Sequence, residues 1–481
     1  MTQNQKYIVS YPYILMENDI QIATKIKHFS EIFDKRTYGV FKSVISSIVC
    51  LWNWKQADLA NFSGKTLGQI QYFFRDALWD CRLLNTLRVQ WIRNKIWRAA
   101  DKKSDIACFD ATIAPKNKAA AFSGLTNWFY SNRDKRVVNG FEILGSSIIT
   151  QSWLKYILDV AVFFKKKKLG SKDKRIPSLP NEAWRKFITK ALSQTKAWLV
   201  VLDSWFKWPD MCKWIRGIMK RHFLVRIGKD QICHDQKNAA FKISKLLKHE
   251  AATCFPNGKL WIFQSVQLKS RLDKGVDIPV NIIVFHKNGF RSPMVLASSA
   301  SLEDIYENMI RKTWDPSWKE RMENVGNTWN TENITVTPLF DEKKACYAFV
   351  FLYGKRWSIE TCFKELKSYL RLENFQVQSY RAIMKYLHIV ILAHTLLYIM
   401  LATIHSNEKS FAVIYGYLKE KRNIKRCKYE DKKITFMWLK LFIEMVIVKW
   451  GLNSITKSYK TLSELFKTSI SLKSWHCLID E

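Results

Sequence analysis

The chain has 481 residues, and its 78 Lys and Arg residues outnumber its 42 Asp and Glu residues, which gives a formal net charge of +36. With 48% hydrophobic residues it is too apolar for intrinsic disorder, and its 16 glycines and 10 prolines are too few for a collagen-like or low-complexity protein. Such a charge opposes compaction unless a polyanion neutralises it, and nucleic acid is the leading candidate. A protein that binds RNA or an anionic membrane would have a similar composition, so the charge alone does not distinguish these partners.

The first helical pattern extends from Ile26 to Ala100, where apolar residues recur at helical spacing and predict an all-helical N-terminal region. Asp58 and Asn61 can each cap a short helix, and Thr66 can cap the next one. Such a pair would form a helix-turn-helix, although any small helical bundle contains similar turns. The second helix carries three polar residues suited to reading a major groove: Gln69, Gln71 and Arg75.

Four short apolar runs of strand length follow, at 106–110, 141–150, 197–203 and 222–227. The first run ends in Asp110 and the third in Asp203. Nearly continuous apolar runs are typical of strands buried on both faces, and ligands bind at the carboxyl edge of such sheets. Each Asp could instead cap the turn after its strand, and the pattern leaves both interpretations open.

A β-rich stretch is predicted between about residues 211 and 340, with an Asn-Gly hairpin turn at His286–Phe290. Helical periodicity returns after Ala345, and residues 434–450 form an amphipathic pattern suited to packing on a second subunit. Two basic runs, at 165–175 and 419–433, are solvated loops or phosphate contacts.

The ten cysteines include no CxxC pair and indicate free thiols in a reducing, cytoplasmic compartment. The apolar run from Leu387 to Ile404 contains His388 and His394, so we interpret it as a buried helix and expect no membrane partner. One group of residues could suggest zinc, but its spacing fits no common zinc pattern: Cys212, His222, Cys233, His234 and Cys254.

Within residues 351–370, polar residues recur at helical spacing and would form a stripe along one face of a helix. Such a stripe usually faces water and forms pairs four residues apart, such as Arg356 with Glu360. Alternatively, the helix brings one carboxylate to a metal site while its cations hold a phosphate backbone. The stripe consists of Tyr353, Arg356, Glu360, Lys364 and Lys367.

The spacing of Tyr353, Arg356, Glu360 and Lys367 resembles the Tyr-Arg-Glu-Lys signature of bacterial insertion-sequence transposases of the DDE class, the branch that cuts through a DNA hairpin. The contexts of Asp110 and Asp203 are similar to the first two acids of that family. The resemblance covers roughly residues 106 to 405.

This resemblance implies an α/β fold with an RNase H-like catalytic core that is flanked by all-helical N- and C-terminal regions and interrupted by a β-rich insertion. The expected divisions are a DNA-binding region at 1–100, the core at 101–210 and 345–405, the insertion at 211–344 and a dimerisation region at 406–481. Asp110, Asp203 and Glu360 would hold two Mg²⁺ ions, with Mn²⁺ as a substitute.

The resemblance also implies the partners: double-stranded DNA, as transposon ends and target, bound by a nucleoid-associated homodimer. The expected DNA contacts are Tyr353, Arg356, Lys364, Lys367, Lys116 and Lys118. A hairpin requires a base outside the stack, and the candidate stacking residues are Trp314, Trp318 and Trp329. Two alternatives to a cut-and-paste transposase remain: a domesticated or decayed DNA-binding relative without catalysis, and a metal-dependent nuclease that only hydrolyses.

Overall fold

The computed structural model describes the following residues of the chain: 26–51, 55–93, 105–116, 126–131, 135–150, 155–163, 180–203, 209–234, 240–247, 253–255, 258–268, 278–289, 291–305, 308, 342–406, 436–437, 439–440 and 443. The chain forms two compact units. The helical unit comprises Met1–Trp91, Ile113–Phe141 and Phe363–Glu481, and the sheet unit comprises Ile92–Thr112 and Glu142–Cys362.

The described residues form both helices and a mixed sheet, so the prediction of a mixed α/β fold is confirmed. The described helices are α1 (Lys35–Cys50), α2 (Gln56–Ser63), α3 (Leu67–Arg75), α4 (Cys81–Trp91), α5 (Pro180–Leu192), α6 (Pro209–Gly217), α7 (Ile243–Leu246), α8 (Leu302–Ile305), α9 (Glu342–Lys355), α10 (Trp357–Leu370) and α11 (Tyr380–Ser406). The described strands are β1 (Ile106–Pro115), β2 (Asn127–Ser131), β3 (Arg136–Ile149), β4 (Lys155–Phe163), β5 (Leu199–Leu202), β6 (His222–Ile227), β7 (Ile232–His234), β8 (Ala240–Lys242), β9 (Thr253–Phe255), β10 (Gly258–Leu268), β11 (Ile278–Lys287) and β12 (Met294–Ser298).

Short local signals define the turn between α2 and α3 in the helical unit. Thr66 caps α3 as predicted, because its hydroxyl accepts from the Gln69 amide and the Gln69 side chain accepts from the Thr66 amide. Gly64 ends α2 with φ 64°, a left-handed conformation that glycine adopts without strain. The predicted cap at Asn61 is wrong, since that residue lies inside α2, and Asp58 instead accepts from the backbone amide of the true N-cap residue, Lys55.

Helix α11 forms the apolar core of the helical unit and packs against α1, α3 and α4. The span Tyr380–Leu401 is long and apolar enough to cross a membrane, but 94% of its most apolar window is buried within the protein. His388 and His394, the two histidines within Tyr380–Leu401, are also buried. We therefore interpret α11 as a core helix, in agreement with the sequence prediction.

The sheet unit is built on a parallel centre in which β5 pairs with β1 on one side and with β6 on the other. β3 lies next to β1 and pairs antiparallel with β4. Beyond β6 the sheet continues through β12, β11 and β10 to β7 and β8, with β9 on β10. The four strands predicted at 106–110, 141–150, 197–203 and 222–227 are all present.

The predicted β-rich stretch continues the same sheet, because β6, which lies within the stretch, pairs with β5, and β12 in turn pairs with β6. Its Asn-Gly hairpin is confirmed between β11 and β12, where Gly289 has φ 81°. The compact units do not coincide with the five divisions expected from the sequence, and those divisions stay a prediction.

Candidate active site

Two of the predicted acids lie at the same level of neighbouring parallel strands, Asp110 within β1 and Asp203 directly after β5. Phe109 of β1 is in register with Leu202 of β5. Asp110 and Asp203 are the residues that directly follow this pair. Adjacent strands lie about 4.8 Å apart, which places the two carboxylates at neighbouring positions. The prediction that β1 ends at Asp110 is wrong, however, because the strand continues to Pro115.

The third acid, Glu360, lies in the first turn of α10. The sequence predicted one continuous helix through this segment, and that prediction is wrong: Arg356 occupies a turn between α9 and α10. Short backbone hydrogen bonds mark the turn, with the Arg356 amide donating to Tyr353 O at 3.0 Å and the Ile359 amide donating to Arg356 O at 3.1 Å. The break orients Arg356 into the sheet unit, where only 7% of the residue is exposed.

Arg356 contacts all three of the predicted acids. Its Nη1 lies 3.0 Å from Oδ2 of Asp110, its Nη2 lies 2.5 Å from Oε1 of Glu360, and its Nε lies 3.9 Å from Oδ1 of Asp203. A planar guanidinium can bind several carboxylates at once and keeps its charge at any physiological pH. The three carboxylates therefore converge on a single cation.

At this site one cation, Arg356, faces three carboxyl groups. Burial raises the pKa of Asp110 to about 7, and the nearby Asp203 and Glu360 carboxylates add to the rise, while Arg356 opposes it. Desolvation disfavours the charged form of a buried carboxyl, and like charges have the same effect. One arginine thus stabilises the three acids only partly, and a further cation would be favoured there.

Tyr353 completes the cluster from the last turns of α9. Its hydroxyl donates to Oδ1 of Asp203 at 3.4 Å, and its ring lies 5.6 Å from the Arg356 guanidinium carbon. Burial raises its pKa to about 12, so the phenol stays protonated at neutral pH and acts as a donor.

The donor set fits a hard divalent cation. Mg²⁺ and Mn²⁺ prefer carboxylate oxygens and usually take only a few from the protein, leaving positions for water and phosphate. The site contributes one carboxylate from β1, one from the residue that follows β5 and one from α10, around a partly buried position. Asp110, Asp203 and Glu360 are the residues that would hold such an ion, and their role as ligands stays a prediction.

Three of the lysines that were predicted to contact DNA lie in the helical unit. Lys364 is exposed, whereas the other two form hydrogen bonds with groups of the protein itself. Lys367 donates to the backbone oxygen of Ile113 at 2.6 Å and lies 3.1 Å from Oε2 of Glu373. Lys116 donates to the backbone oxygens of Glu373 and Phe375 at 2.6 and 2.9 Å. Their assignment as DNA contacts stays a prediction.

The sequence did not identify Glu373, which holds Lys367 and follows it by six positions. The only local signal is an isolated acid in a basic segment, which does not specify a partner. Lys118 and the three candidate stacking residues, Trp314, Trp318 and Trp329, lie outside the described residues.

The residues considered for zinc do not form a site in the part of the chain that the structure describes. His222 is engaged with the backbone oxygen of Ser299 at 2.9 Å. Cys212 and Cys233 are buried, and burial raises the pKa of each thiol to about 12, which disfavours the thiolate that zinc requires.

Residues 180–396 match a family model described as the transposase DDE domain. The matched segment includes Asp203 and the four signature residues from Tyr353 to Lys367, and it begins after Asp110. A search of curated proteins found no match. The domain match supports a DDE-type transposase, and hence an enzyme that acts on nucleic acid. Transposases of this class use divalent metal ions.

Proposed function

We propose that the chain is a cut-and-paste DNA transposase with an RNase H-like core, and that Asp110, Asp203 and Glu360 are its catalytic acids. The observation that carries the proposal is the convergence of these three carboxylates on Arg356, from two adjacent strands and a helix. The domain match and the charge of +36 support a nucleic-acid substrate.

The reaction we propose is a series of phosphoryl transfers at one site. Water hydrolyses a phosphodiester of one strand at the transposon end, and the freed 3′-hydroxyl attacks a phosphodiester of the opposite strand, which forms the hairpin and releases a 3′-hydroxyl on the other side of the cut. Water then reopens the hairpin, and the same hydroxyl attacks target DNA. Divalent ions, two Mg²⁺ in this proposal, would supply nucleophile activation and stabilisation of the leaving oxygen.

The protein's own residues bind and orient the substrate in this proposal. Asp110 and Asp203 fix two neighbouring carboxylates on rigid parallel strands, which keeps the oxygen donors preorganised. Arg356 holds the acids together in the free protein and turns donors toward phosphate oxygens when DNA is bound. Tyr353 donates from its phenol, and Lys364 and Lys367 extend positive charge along α10.

The proposal also includes the wider assembly. α2 and α3 would bind duplex DNA, with α3 presenting Gln71 and Arg75 to a major groove. The active form is a homodimer on paired transposon ends, and it acts in the cytoplasm on the bacterial nucleoid.

The decisive experiment compares single carboxamide variants in a cleavage assay. The substrate is a plasmid carrying the gene with its flanking DNA, incubated with the purified full chain and Mg²⁺ or Mn²⁺. Asp110→Asn, Asp203→Asn and Glu360→Gln should each lower end cleavage by at least a thousandfold while duplex binding in EDTA changes little. Glu303→Gln, an exposed acid of the sheet unit, is the matched control and should cleave normally.

Different outcomes separate the alternatives. A variant that still cleaves removes its residue from the proposed site. Cleavage without any joined product favours a hydrolytic nuclease, and duplex binding without cleavage by the unaltered chain favours a domesticated relative. Inverted repeats flanking the gene, with a short target duplication, would support transposition.

A further inference from the structure

A two-stranded hairpin of the helical unit exposes a cluster of large side chains. β2 pairs antiparallel with the first residues of β3, from Asn127 opposite Gly140 to Ser131 opposite Arg136. Trp128, Tyr130 and Val137 are 62%, 57% and 56% exposed. Single exposed apolar residues are ordinary on protein surfaces, whereas a contiguous aromatic group indicates a binding surface.

The strand register puts these side chains on one face of the hairpin. Tyr130 lies opposite Val137, and directly paired residues share a face. Trp128 and Tyr130 are two positions apart on β2, so they also share that face, with about 7 Å between them. The intervening Phe129 is half-buried, and Val138 of β3 is buried on the other face. We refer to Trp128, Tyr130 and Val137 as the aromatic face.

Charge at the end of the hairpin indicates what binds there. Lys135 and Arg136 are exposed and directly precede Val137. In the sequence, residues 126–141 contain three basic residues, with Arg133 as the third, against one acid, Asp134. A partner for this surface should therefore combine flat apolar groups with negative charge.

We propose that the aromatic face binds unpaired DNA, with bases stacked on Trp128 and Tyr130 and phosphates at Lys135 and Arg136. A duplex hides the faces of its bases, whereas a single strand offers both bases and phosphates to a sheet surface with aromatic side chains. The inference rests on the proposed function for the identity of the polyanion, since strand cleavage at a transposon end creates unpaired segments.

The test measures binding by the full chain in EDTA, so that it does not depend on cleavage. Fluorescence anisotropy compares a labelled 20-nucleotide single strand with a blunt duplex of the same sequence. The double variant Trp128→Ala and Tyr130→Ala should weaken single-strand binding about tenfold or more and change duplex binding less than about twofold. Trp128→Phe with Tyr130→Phe keeps the rings and should retain most single-strand affinity.

Two controls keep the result specific. Leu78→Ala removes an apolar side chain that is 85% exposed elsewhere in the helical unit, and it should change neither affinity. Lys135→Gln with Arg136→Gln should reduce the salt dependence of single-strand binding by about two phosphate contacts.

A second measurement uses the unaltered chain and so does not depend on the folding of a variant. A single strand containing 5-iodouracil is irradiated on the protein, and the crosslinked peptide should contain Trp128 or Tyr130. Crosslinks only elsewhere would overturn the proposal, as would an equal loss of single-strand and duplex binding in the alanine variant. If that variant keeps its single-strand affinity but sediments as a smaller species, the face binds a second copy of the chain and the proposal is wrong.

The outcome is separable from that of the proposed function. If the unaltered chain showed no metal-dependent cleavage, the proposed function would fail, but single-strand binding in EDTA could still be measured. Conversely, a failure of the aromatic face to bind unpaired DNA would leave the cleavage assay on the three acids unaffected.

Discussion

Arg356 donates a hydrogen bond from Nη1 to Oδ2 of Asp110 at 3.0 Å, although 246 positions separate the two residues in the chain. The contact joins the turn between α9 and α10 to the interior of β1. It places a permanent cation against a carboxyl whose pKa is raised to about 7 by burial. Arg356 is therefore a structural counter-ion in the metal-free protein as well as a proposed DNA contact.

The counter-ion role predicts that Arg356→Gln destabilises the metal-free protein by about 2 kcal/mol, since it removes charged hydrogen bonds from partly buried carboxylates. Mg²⁺ or Mn²⁺ should recover more stability in this variant than in the unaltered chain, because a bound cation replaces the missing charge. Thermal melting with and without each metal measures both effects.

The matched control is Arg75→Gln, since Arg75 pairs with Asp76 on an exposed surface. That substitution should change stability by less than about 1 kcal/mol. If metal raised the melting temperature of Arg356→Gln no more than that of the unaltered chain, the carboxylates would not be the metal site.

The two lysines on α10 predict a contrast between structural and surface cations. Lys367→Met removes the contacts with Ile113 O and Glu373 and should lower the free energy of unfolding by about 1–3 kcal/mol. Lys364 is exposed, so Lys364→Met should change stability by less than about 0.5 kcal/mol. Urea denaturation of the two variants measures the difference. Equal free energies of unfolding would show that the contacts of Lys367 do not stabilise the fold.

The continuous apolar runs predicted the central strands correctly, because burial on both faces leaves a signature in the local sequence. The runs before Asp110 and Asp203 also predicted that each acid lies at the end of a buried apolar run. Neither the pairing of Phe109 with Leu202 nor the convergence on Arg356 could be derived locally, since both depend on contacts between distant segments.

The break at Arg356 shows why the rest was missed. Residues 342–370 contain no proline, and Gly354 is their only glycine, so local propensity favours one long helix. In the structure Arg356 leaves the helical path and its guanidinium contacts three acids. Tertiary interactions override a propensity of this size, and the polar stripe predicted along one helix is consequently divided between two.

Lys116 predicts a pH dependence of stability. Burial lowers its pKa to about 7, although Glu373 opposes the shift. The unfolded chain keeps this lysine protonated up to about pH 10.5, so between about pH 7 and 10.5 unfolding takes up a proton. Stability from this group should therefore rise with pH across that window, by at most about 1.4 kcal/mol per pH unit.

Lys116→Met should remove this slope. Urea denaturation of both proteins from pH 6.5 to 9.5 measures it as a stability difference that changes with pH. A difference that stays constant across the range would mean that the ammonium is charged in the folded protein, and would favour its assignment as a phosphate contact.

A final contrast comes from two lysines four positions apart on α5 of the sheet unit. Lys190 lies 2.6 Å from Oδ2 of Asp159, whose side chain is fully buried in β4. Lys186 lies 2.6 Å from Glu182, and both of those side chains are exposed. The Lys190 side chain is 42% exposed, but its removal leaves the fully buried Asp159 carboxylate without this cation, so Lys190→Ala should destabilise the protein by about 3 kcal/mol.

Lys186→Ala should cost less than about 1 kcal/mol, since an exposed ion pair gains little over hydration. Thermal and urea denaturation of the two variants give the comparison on one helix with the same chemical change. Adding Asp159→Asn to Lys190→Ala should restore part of the loss, because the neutral amide no longer requires a cation. A double variant no more stable than Lys190→Ala would attribute the loss to packing of the lysine stem instead of the buried charge.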